Sequence, residues 1–230
     1  MIPEYDVYLF DADGTLFDFP EAEKNAFTNL LRFYQIPFTP EIFTFYRTTN
    51  AALWDAFEKG EISKEDIQFL RFSRLLNAFS IDLDTVEVNH QYLLELGKGI
   101  FLLDGAFELC QGLYEKGKKL YIITNGISIS QKARLSGSLI RSFISDIFVS
   151  EDIGHQKPSP FYFDYVLSRI VPTEKKRILV IGDSLSADIM GGNGAGIDTC
   201  WFNPSEAPSK NGIYPTYEIK NLEEILKYLS

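Results

Sequence analysis

The sequence predicts an α/β protein whose parallel sheet is interrupted by an all-helical insertion. Short apolar runs rich in β-branched residues recur between helical patterns, and within these runs polar and apolar residues do not alternate. Such runs are typical of strands that are covered on both faces. Residues 19–99, in contrast, contain no convincing strand. Strand–helix–strand alternation favours a parallel sheet with helices on both sides, so the helical stretch is an insertion after the first strand.

The apolar runs predict strands at residues 5–10, 119–124, 147–150, 178–182 and 199–202. Between them, Asp104 can cap a helix that runs through Lys116 and stops at Gly117. Ser159 can cap another helix, with Pro160 at its first position. The glycine-rich residues 191–196 follow a helical pattern rather than a strand, so they predict helix termination and close packing instead of a dinucleotide site.

Start signals within the insertion predict a succession of helices that begin at Pro20, Thr39, Ser63 and Asp84. The last two starts carry an acidic residue three positions later, which is the spacing of a capping box. In the third helix, aromatic and aliphatic residues recur at helical spacing and should face a core: Phe69, Phe72, Leu76 and Phe79. We therefore expect an α/β core from residues 1–18 and 99–230, and a helical domain from residues 19–98.

Composition excludes several classes of protein. The chain has 230 residues with 22 basic and 32 acidic side chains, and a net charge of −10 disfavours a partner such as DNA or RNA. Two cysteines and two histidines provide neither a disulfide framework nor a zinc cluster. No secretory signal and no membrane-length apolar run is visible, so we expect a cytoplasmic protein with no membrane partner. We also expect it to be a monomer or a weak dimer.

Polar side chains follow three of the predicted core strands, and a lysine precedes a helix nearby. These residues are Asp11 and Asp13, Thr124 and Asn125, Asp183 and Asp188, and Lys157. Ligands of open parallel sheets bind outside the carboxyl ends of the strands, so we expect these side chains to meet in one place. Clustered carboxylates repel one another unless a cation lies among them, and all-oxygen ligands favour Mg²⁺ over zinc.

A metal and one lysine would make this place a site for a phosphate dianion. Thr124, Asn125 and the following helix start can supply hydroxyl and backbone N–H donors. An aspartate beside the phosphate can attack phosphorus to give an aspartyl-phosphate. A second carboxylate two residues later can protonate the leaving alcohol and then deprotonate the water that releases phosphate.

These segments resemble the four motifs of the haloacid dehalogenase-like (HAD) hydrolases. Phe10-Asp11-Ala12-Asp13-Gly14-Thr15-Leu16 is similar to the first motif. Thr124-Asn125-Gly126, Lys157-Pro158, and Gly182-Asp183 with Asp188 are similar to the second, third and fourth, in the right order. The resemblance covers essentially the whole chain, and it implies a Rossmann-like core with a C1-type helical cap after the first strand.

The resemblance implies a role for each matched residue. Asp11 would be the nucleophile and a Mg²⁺ ligand, and Asp13 the general acid/base with its backbone carbonyl on the metal. Thr124, helped by the backbone of Asn125, would bind phosphate. Lys157 would neutralise the phosphate and orient Asp11.

The fourth motif completes the implied metal site. Asp183 would bind Mg²⁺, and Asp188 would lie either on the metal or just behind its ligands. Thr15 would support the geometry of the first loop. Asp13 also separates reactions within the family, because transfer from a phosphate ester needs a proton donor at this position and dehalogenation does not. It therefore favours phosphoryl chemistry on a small phosphorylated substrate.

A narrower resemblance, to the YjjG-type pyrimidine and house-cleaning 5′-nucleotidases, concerns the substrate. It rests on residues 11–17, on Asn50-x-x-Leu53-Trp54 and on residues 194–201. Phe17 and Trp54 could stack on a base and Asn50 could hydrogen-bond to it, which predicts a nucleoside 5′-monophosphate. The alternative for Phe17 and Trp54 is that they only pack the protein interior.

Two other functions stay open at this level. One is a phosphatase for phosphoglycolate or a sugar phosphate, or the related phosphomutase. The other is a regulatory protein that keeps the aspartyl-phosphate site without turnover, as receiver domains cluster acidic groups around a phosphorylated aspartate. The intact Asp13 argues against a silent site.

Overall fold

The computed structural model describes residues 4–209 and 212–228. Residues 1–3, at which the search for a secretory signal began, lie outside the described part. The chain divides into two compact units. One consists of Met1–Phe19 and Ile100–Ser230 and is called the sheet unit below. The other, Pro20–Gly99, is called the helical unit.

The described part of the sheet unit contains one sheet of six strands, and every neighbouring pair is parallel. The strands are β1 (Val7–Phe10), β2 (Lys119–Thr124), β3 (Ile144–Val149), β4 (Ile178–Gly182), β5 (Asp198–Phe202) and β6 (Tyr217–Ile219), in the order β3-β2-β1-β4-β5-β6. The predicted α/β class and parallel sheet are confirmed. The first strand lies between β2 and β4, so the segments after these three strands start side by side.

The strand predictions differ from the structure at several strand ends, and one edge strand was not predicted. The second and fourth strands have the predicted bounds. The third begins at Ile144 rather than at residue 147, and it ends at Val149 because Ser150 already starts a helix. The first strand begins at Val7 rather than at Tyr5, whose hydroxyl donates to Asp198 over 2.5 Å. The sequence analysis missed β6, a three-residue edge strand whose Tyr-Glu-Ile sequence is too short to show a periodic pattern.

The helical unit consists of α1 (Phe19–Phe33, with its first residue in the sheet unit), α2 (Pro40–Glu58), α3 (Lys64–Ala78) and α4 (Thr85–Leu96). Thr39, Ser63 and Asp84 are the N-caps of α2, α3 and α4, as predicted, whereas α1 begins at Phe19, one residue before the predicted Pro20. Ser63 and Asp66 make both bonds of a capping box, and the Asp84 side chain accepts two backbone N–H groups at the start of α4. One core prediction is wrong: Phe69 is 51% exposed, because it lies off the buried stripe of α3, which runs through Ile67, Phe72 and Leu76.

The sheet unit contains six further helices in its described part: α5 (Ala106–Glu115), α6 (Ser128–Gly137), α7 (Ser150–Ile153), α8 (Pro160–Arg169), α9 (Met190–Gly194) and α10 (Glu224–Tyr228). A π-helical turn, Leu185–Ile189, precedes α9. The prediction that Asp104 caps α5 is wrong, because the cap is Gly105 in the left-handed conformation, without a side-chain bond. Ser159 does occupy the cap position of α8, with Pro160 next, although its side chain makes no capping bond. Within the described residues no helix is long and apolar enough to cross a membrane.

Both faces of the central strand are buried, which explains its continuous apolar sequence. Tyr8 and Phe10 belong to one core cluster, which includes residues of α5 and α10. Val7 and Leu9 belong to the other, which includes residues of α8. The side chains of a strand point alternately to its two faces, so a strand between two cores needs apolar residues at every position.

The sheet unit closes the gap left by the insertion with its own backbone. Phe17 forms an isolated antiparallel bridge with Leu102, and the N–H of Asp18 donates to the carbonyl of Phe101 over 3.0 Å. The chain therefore leaves the sheet unit and returns to it through one hydrogen-bonded clasp, which we call the residue 17–102 clasp.

Close packing at the glycine-rich run is confirmed. A Cβ at Gly191 would lie 2.3 Å from the ring of Phe163, and one at Gly192 would lie 2.5 Å from Cγ2 of Thr199. Gly194, in contrast, has no neighbouring atom within 4 Å of a built Cβ. The first two glycines allow α9 to approach β4, β5 and α8, and the third only ends the helix.

We expect Gly192→Ala to destabilise the protein by about 1–3 kcal/mol, because the added methyl overfills a packed contact. The matched variant Gly194→Ala should be neutral or stabilising by up to about 1 kcal/mol, since alanine favours a helix and meets no neighbour. Chemical denaturation followed by circular dichroism measures both. Equal destabilisation by the two substitutions would contradict the packing argument.

Candidate active site

The polar segments identified in the sequence follow adjacent strands of the sheet. Asp11 comes directly after β1, Thr124 is the last residue of β2, and Asp183 follows β4. Because β1 lies between β2 and β4, these three positions are neighbours at one edge of the sheet.

Three carboxylates form the centre of the site. Oxygen atoms of Asp11, Asp183 and Asp188 lie within 4.8 Å of one another. Asp188 is fully buried and Asp11 is 8% exposed, whereas Asp183 reaches solvent. This group, which we call the carboxylate triad, contains only oxygen donors, and no histidine or cysteine of the described residues belongs to it. Such a donor set fits a hard divalent cation such as Mg²⁺.

Lys157 supplies the cation of this cluster. Its Nζ donates to Oδ1 of Asp11 and Oδ1 of Asp188, over 2.7 Å each, and to the carbonyl of Ile123 over 2.8 Å. The residue is 3% exposed, so all three donors of the ammonium are used inside the protein. One ammonium among three carboxylates leaves an excess of negative charge at the outer, solvent-facing member, Asp183.

The cluster shifts the pKa values of its members. Burial raises the pKa of Asp11 well above its usual range; Lys157 opposes this, and the two neighbouring carboxylates add to it. Part of Asp183 is exposed, but the protein atoms around its carboxylate and the charge of Asp188 raise its pKa from 3.8 to about 7. Burial lowers the pKa of Lys157, but Asp11 and Asp188 outweigh burial and raise it above the usual value, so the lysine stays charged.

Two glycines allow the carboxylates to lie against bare backbone. A Cβ at Gly14 would lie 2.6 Å from Oδ2 of Asp183, and the residue has a φ of +85°, which favours glycine. A Cβ at Gly182 would lie 2.2 Å from Oδ2 of Asp188. Any side chain at either position would push a triad carboxylate out of place.

Hydrogen bonds from neighbouring residues orient the triad. Thr15 is buried and donates through Oγ1 to Oδ1 of Asp183 over 3.5 Å. The indole of Trp201, at the end of β5, donates to the backbone carbonyl of Asp183 over 2.8 Å. The N–H of Ser184 donates to Oδ2 of Asp188 over 3.1 Å. Neither part was predicted: Trp201 lies 18 residues from Asp183, whereas the Ser184 contact spans four residues at a helical turn that Ser184 caps, a local signal that could have identified it.

The loop after β2 is tied to the lysine loop. Nδ2 of Asn125 donates to the carbonyl of Lys157, and the N–H of Lys157 donates to Oδ1 of Asn125, over 2.9 Å in each case. The Thr124 side chain, 1% exposed, accepts the N–H of Gly126 over 3.0 Å, and its hydroxyl hydrogen can still be donated. The sequence pointed to the backbone of Asn125; the structure adds this reciprocal side-chain bond.

The carboxylate of Asp13 is held apart from the triad. Its Oδ2 accepts Nε2 of Gln131 over 2.5 Å and its Oδ1 accepts Nη1 of Arg134, and both partners belong to α6. The Asp13 side chain is 26% exposed. The sequence analysis missed Gln131 and Arg134, although two polar residues three apart on the helix after a site-bearing strand are a signal that could have identified them.

The three residues proposed for base recognition lie in different surroundings. Phe17 belongs to the sheet unit and is 1% exposed, with the guanidinium of Arg134 4.6 Å above its ring, so its burial favours the packing alternative. In the helical unit, Asn50 is buried and donates to Glu23 over 2.9 Å. Trp54 is partly buried and packs edge-on against Phe57.

Comparisons with known proteins agree with the fold and motifs. The family model for haloacid dehalogenase-like hydrolases matches residues 8–202. The crystal structure of YfnB from Bacillus subtilis, bound to magnesium and reported to reveal interdomain movement, is 43% identical and superimposes with a TM-score of 0.91 over 99% of this chain and 100% of that chain.

Two curated relatives carry a named activity. The pyrimidine 5′-nucleotidase PynA of Streptococcus pneumoniae is 37% identical over 98% of this chain and 95% of that protein. The pyrimidine 5′-nucleotidase YjjG of Escherichia coli is 32% identical over 98% of both chains.

The raised pKa of Asp183 predicts that the metal-free protein loses stability as the pH rises from about 4 to about 7. Between these values the folded state keeps a proton that the unfolded state releases, and the advantage is lost as the pH approaches the folded-state pKa. In EDTA, Asp183→Asn should reduce this loss and raise the melting temperature at pH 8. The exposed control Asp164→Asn should leave the pH dependence unchanged. An unchanged profile for Asp183→Asn would contradict the assignment.

Proposed function

The chain belongs to the haloacid dehalogenase-like hydrolases, and we propose that it is a Mg²⁺-dependent phosphomonoesterase that works through an aspartyl-phosphate on Asp11. The observation that carries the proposal is the contact of one buried ammonium, that of Lys157, with two carboxylates of the triad. A nucleophilic carboxylate, a cation and an all-oxygen donor set at one sheet edge are the parts that transfer of a phosphoryl group requires.

The carboxylate triad and the backbone carbonyl of Asp13 would hold the Mg²⁺. When bound, the metal would offset the charge of the triad and polarise the phosphoryl oxygens of the substrate. Asp188 contributes an oxygen to the triad and also accepts a hydrogen bond from the Lys157 ammonium. Its negative charge would therefore offset part of the charge of both Lys157 and the Mg²⁺. The proposed ligand set is therefore Asp11, Asp13, Asp183 and Asp188.

In the first chemical step a carboxylate oxygen of Asp11 attacks the phosphorus of a monoester. The new Asp11 O–P bond forms as the ester P–O bond breaks, and the leaving oxygen takes a proton from Asp13. Lys157 holds Oδ1 of Asp11, which orients the carboxylate, and its charge offsets that of the phosphate.

In the second step water releases the phosphate. Asp13 takes a proton from the water, the water oxygen bonds to phosphorus, and the Asp11 O–P bond breaks to restore the carboxylate. Thr124 would donate its hydroxyl hydrogen to the phosphate, and backbone N–H groups near Asn125 would complete the cradle. The reciprocal bond between Asn125 and Lys157 supports this assignment, because it fixes the loop after β2 to the lysine loop.

We propose that the substrate is a nucleoside 5′-monophosphate with a pyrimidine or non-canonical base, and that the helical unit serves as a C1-type cap that selects it. Similarity to PynA and YjjG over nearly the full length of the chain supports the substrate class. The interdomain movement of YfnB supports a cap that closes over its substrate.

Two cap residues remain candidates for contacts to the base. Trp54 keeps part of its ring exposed, and an aromatic face can stack on any base. Asn50 keeps its Oδ1 without a hydrogen-bond partner among the described residues, although its Nδ2 is used by Glu23. An amide acceptor of this kind suits the N–H groups of a pyrimidine.

Asp11→Asn should lower kcat for a nucleoside monophosphate by more than about 10³-fold, because the amide cannot act as the nucleophile. Asp13→Asn should lower it by about 10²- to 10⁴-fold through loss of the proton donor. Phosphate release in Mg²⁺ measures both, with EDTA-treated enzyme as the metal-free blank. Full activity of Asp11→Asn, or full turnover in EDTA, would exclude the mechanism, and the surface variant Asp164→Asn controls for general effects.

Trp54→Ala should lower kcat/KM for UMP and dUMP by about 10-fold, the order of one base-stacking contact. It should leave p-nitrophenyl phosphate hydrolysis much less affected, because that substrate has no base. Phe69→Ala is the matched control, since Phe69 is an exposed aromatic residue in the same unit. An unchanged ratio between nucleotide and p-nitrophenyl phosphate would remove Trp54 from base recognition.

A further inference from the structure

Asp13 is bound on both carboxylate oxygens by side chains of one helix. Gln131 donates to Oδ2 and Arg134 donates to Oδ1, and the two residues lie three positions apart on α6. Both donors are almost completely shielded from solvent, with exposures of 3% for Gln131 and 0% for Arg134. Side chains buried to this extent have few rotamers available, so they hold the carboxylate in one direction.

Arg134 also contacts Phe17, at the other end of the loop that follows β1 and carries Asp11 and Asp13. Its guanidinium lies 4.6 Å from the centroid of the Phe17 ring, which is 1% exposed. The loop is closed by hydrogen bonds between Gly14 N–H and the Phe17 carbonyl and between Phe17 N–H and the Ala12 carbonyl. One arginine therefore fixes both Asp13 and the loop that carries it.

Gln131 reaches Asp13 past Gly126, in the loop after β2. A Cβ at Gly126 would lie 2.2 Å from Nε2 of Gln131 and 2.8 Å from its Cδ, so only glycine leaves room for this side chain. The glycine of Thr124-Asn125-Gly126 thus gives the amide of Gln131 a path to Asp13. This contact joins the loop after β2 to the loop after β1.

We propose that Gln131 and Arg134 are positioning residues that aim the Asp13 carboxylate at the leaving oxygen and keep it out of the metal-binding group. The inference rests on the proposed function. A carboxylate beside a divalent cation is drawn onto it, and a carboxylate held by the metal is no longer directed at the leaving oxygen. The carboxylate of Asp13 is not a member of the triad, in agreement with this role.

The role has a kinetic signature that depends on the leaving group. A nitrophenolate leaves as a stable anion and needs little help from an acid, whereas a phenolate or an alkoxide leaves poorly until it is protonated. Displacing Asp13 should therefore lower the hydrolysis rate most for esters with basic leaving groups. Loss of packing alone would slow all esters equally, so the ratio between substrates separates positioning from structure.

The experiment compares Gln131→Met and Arg134→Met with matched controls. The control Gln111→Met removes a glutamine that donates to Glu115 on the surface of α5. The control Lys132→Met removes a cation that pairs with Asp152 at the surface. For each variant, kcat/KM is measured with p-nitrophenyl phosphate, phenyl phosphate and UMP. Calorimetric titration with Mg²⁺ alone, without substrate, reports whether the metal site is intact.

We expect Gln131→Met and Arg134→Met to bind Mg²⁺ at least as well as the unaltered protein. Both should lose about 10-fold or more in kcat/KM on phenyl phosphate and UMP relative to p-nitrophenyl phosphate, and Asp13→Asn should give the same pattern more strongly. Arg134→Lys, which keeps the charge, should recover part of the loss. Both control variants should keep the original ratios.

Equal losses on all three esters, or no loss, would overturn the positioning role. If Arg134→Met does not fold, Gln131→Met decides the question, because it removes only one neutral donor and keeps the side-chain length. Failure of the unaltered protein to hydrolyse any of the esters would instead overturn the proposed function, and this inference with it.

Discussion

The buried ammonium of Lys157 is the interaction on which the rest of the site depends. Three acidic side chains cannot gather at the edge of an apolar sheet unless positive charge compensates them, and Lys157 contacts two of them directly. Its third bond, to the carbonyl of Ile123, anchors the ammonium to β2. The lysine thereby joins the ends of β1 and β2 to the segment after β4, and it leaves the triad with a negative charge that suits a divalent cation.

A second layer of contacts turns this charge cluster into a defined geometry. Asn125 fixes the lysine loop from the side of β2, and Trp201 fixes the Asp183 backbone from the side of β5. Gly14 and Gly182 remove the side chains that would otherwise separate the carboxylates from the backbone. The contacts of Asn125 and Trp201 join segments that are distant in sequence, so the precision of the site comes from the sheet, which sets neighbouring strands at fixed spacing.

Sequence reasoning predicted what local patterns encode. The parallel sheet followed from strands such as β1 and β4, which are apolar at every position, and the helix starts at Ser63 and Asp84 followed from their capping chemistry. What it missed depends on tertiary structure. Edge strand β6 is too short for a period, and Phe69 kept a helical spacing while lying off the buried stripe. The bonds from Gln131 and Arg134 to Asp13 span more than a hundred residues, so the sequence shows that two polar residues share a face of α6 but not which group they bind.

The residue 17–102 clasp has a consequence for how this architecture can diversify. Where the two ends of an inserted segment are already joined, lengthening that segment adds little entropy cost to its host, about 0.6 kcal/mol for each doubling of a flexible loop. The first strand, β1, and the loop from Asp11 to Phe17 keep the same backbone hydrogen bonds at the clasp, whatever segment is inserted after it. Evolution or a protein engineer can therefore exchange one inserted segment for another at this joint, while the strand and loop that carry Asp11 and Asp13 keep their backbone contacts.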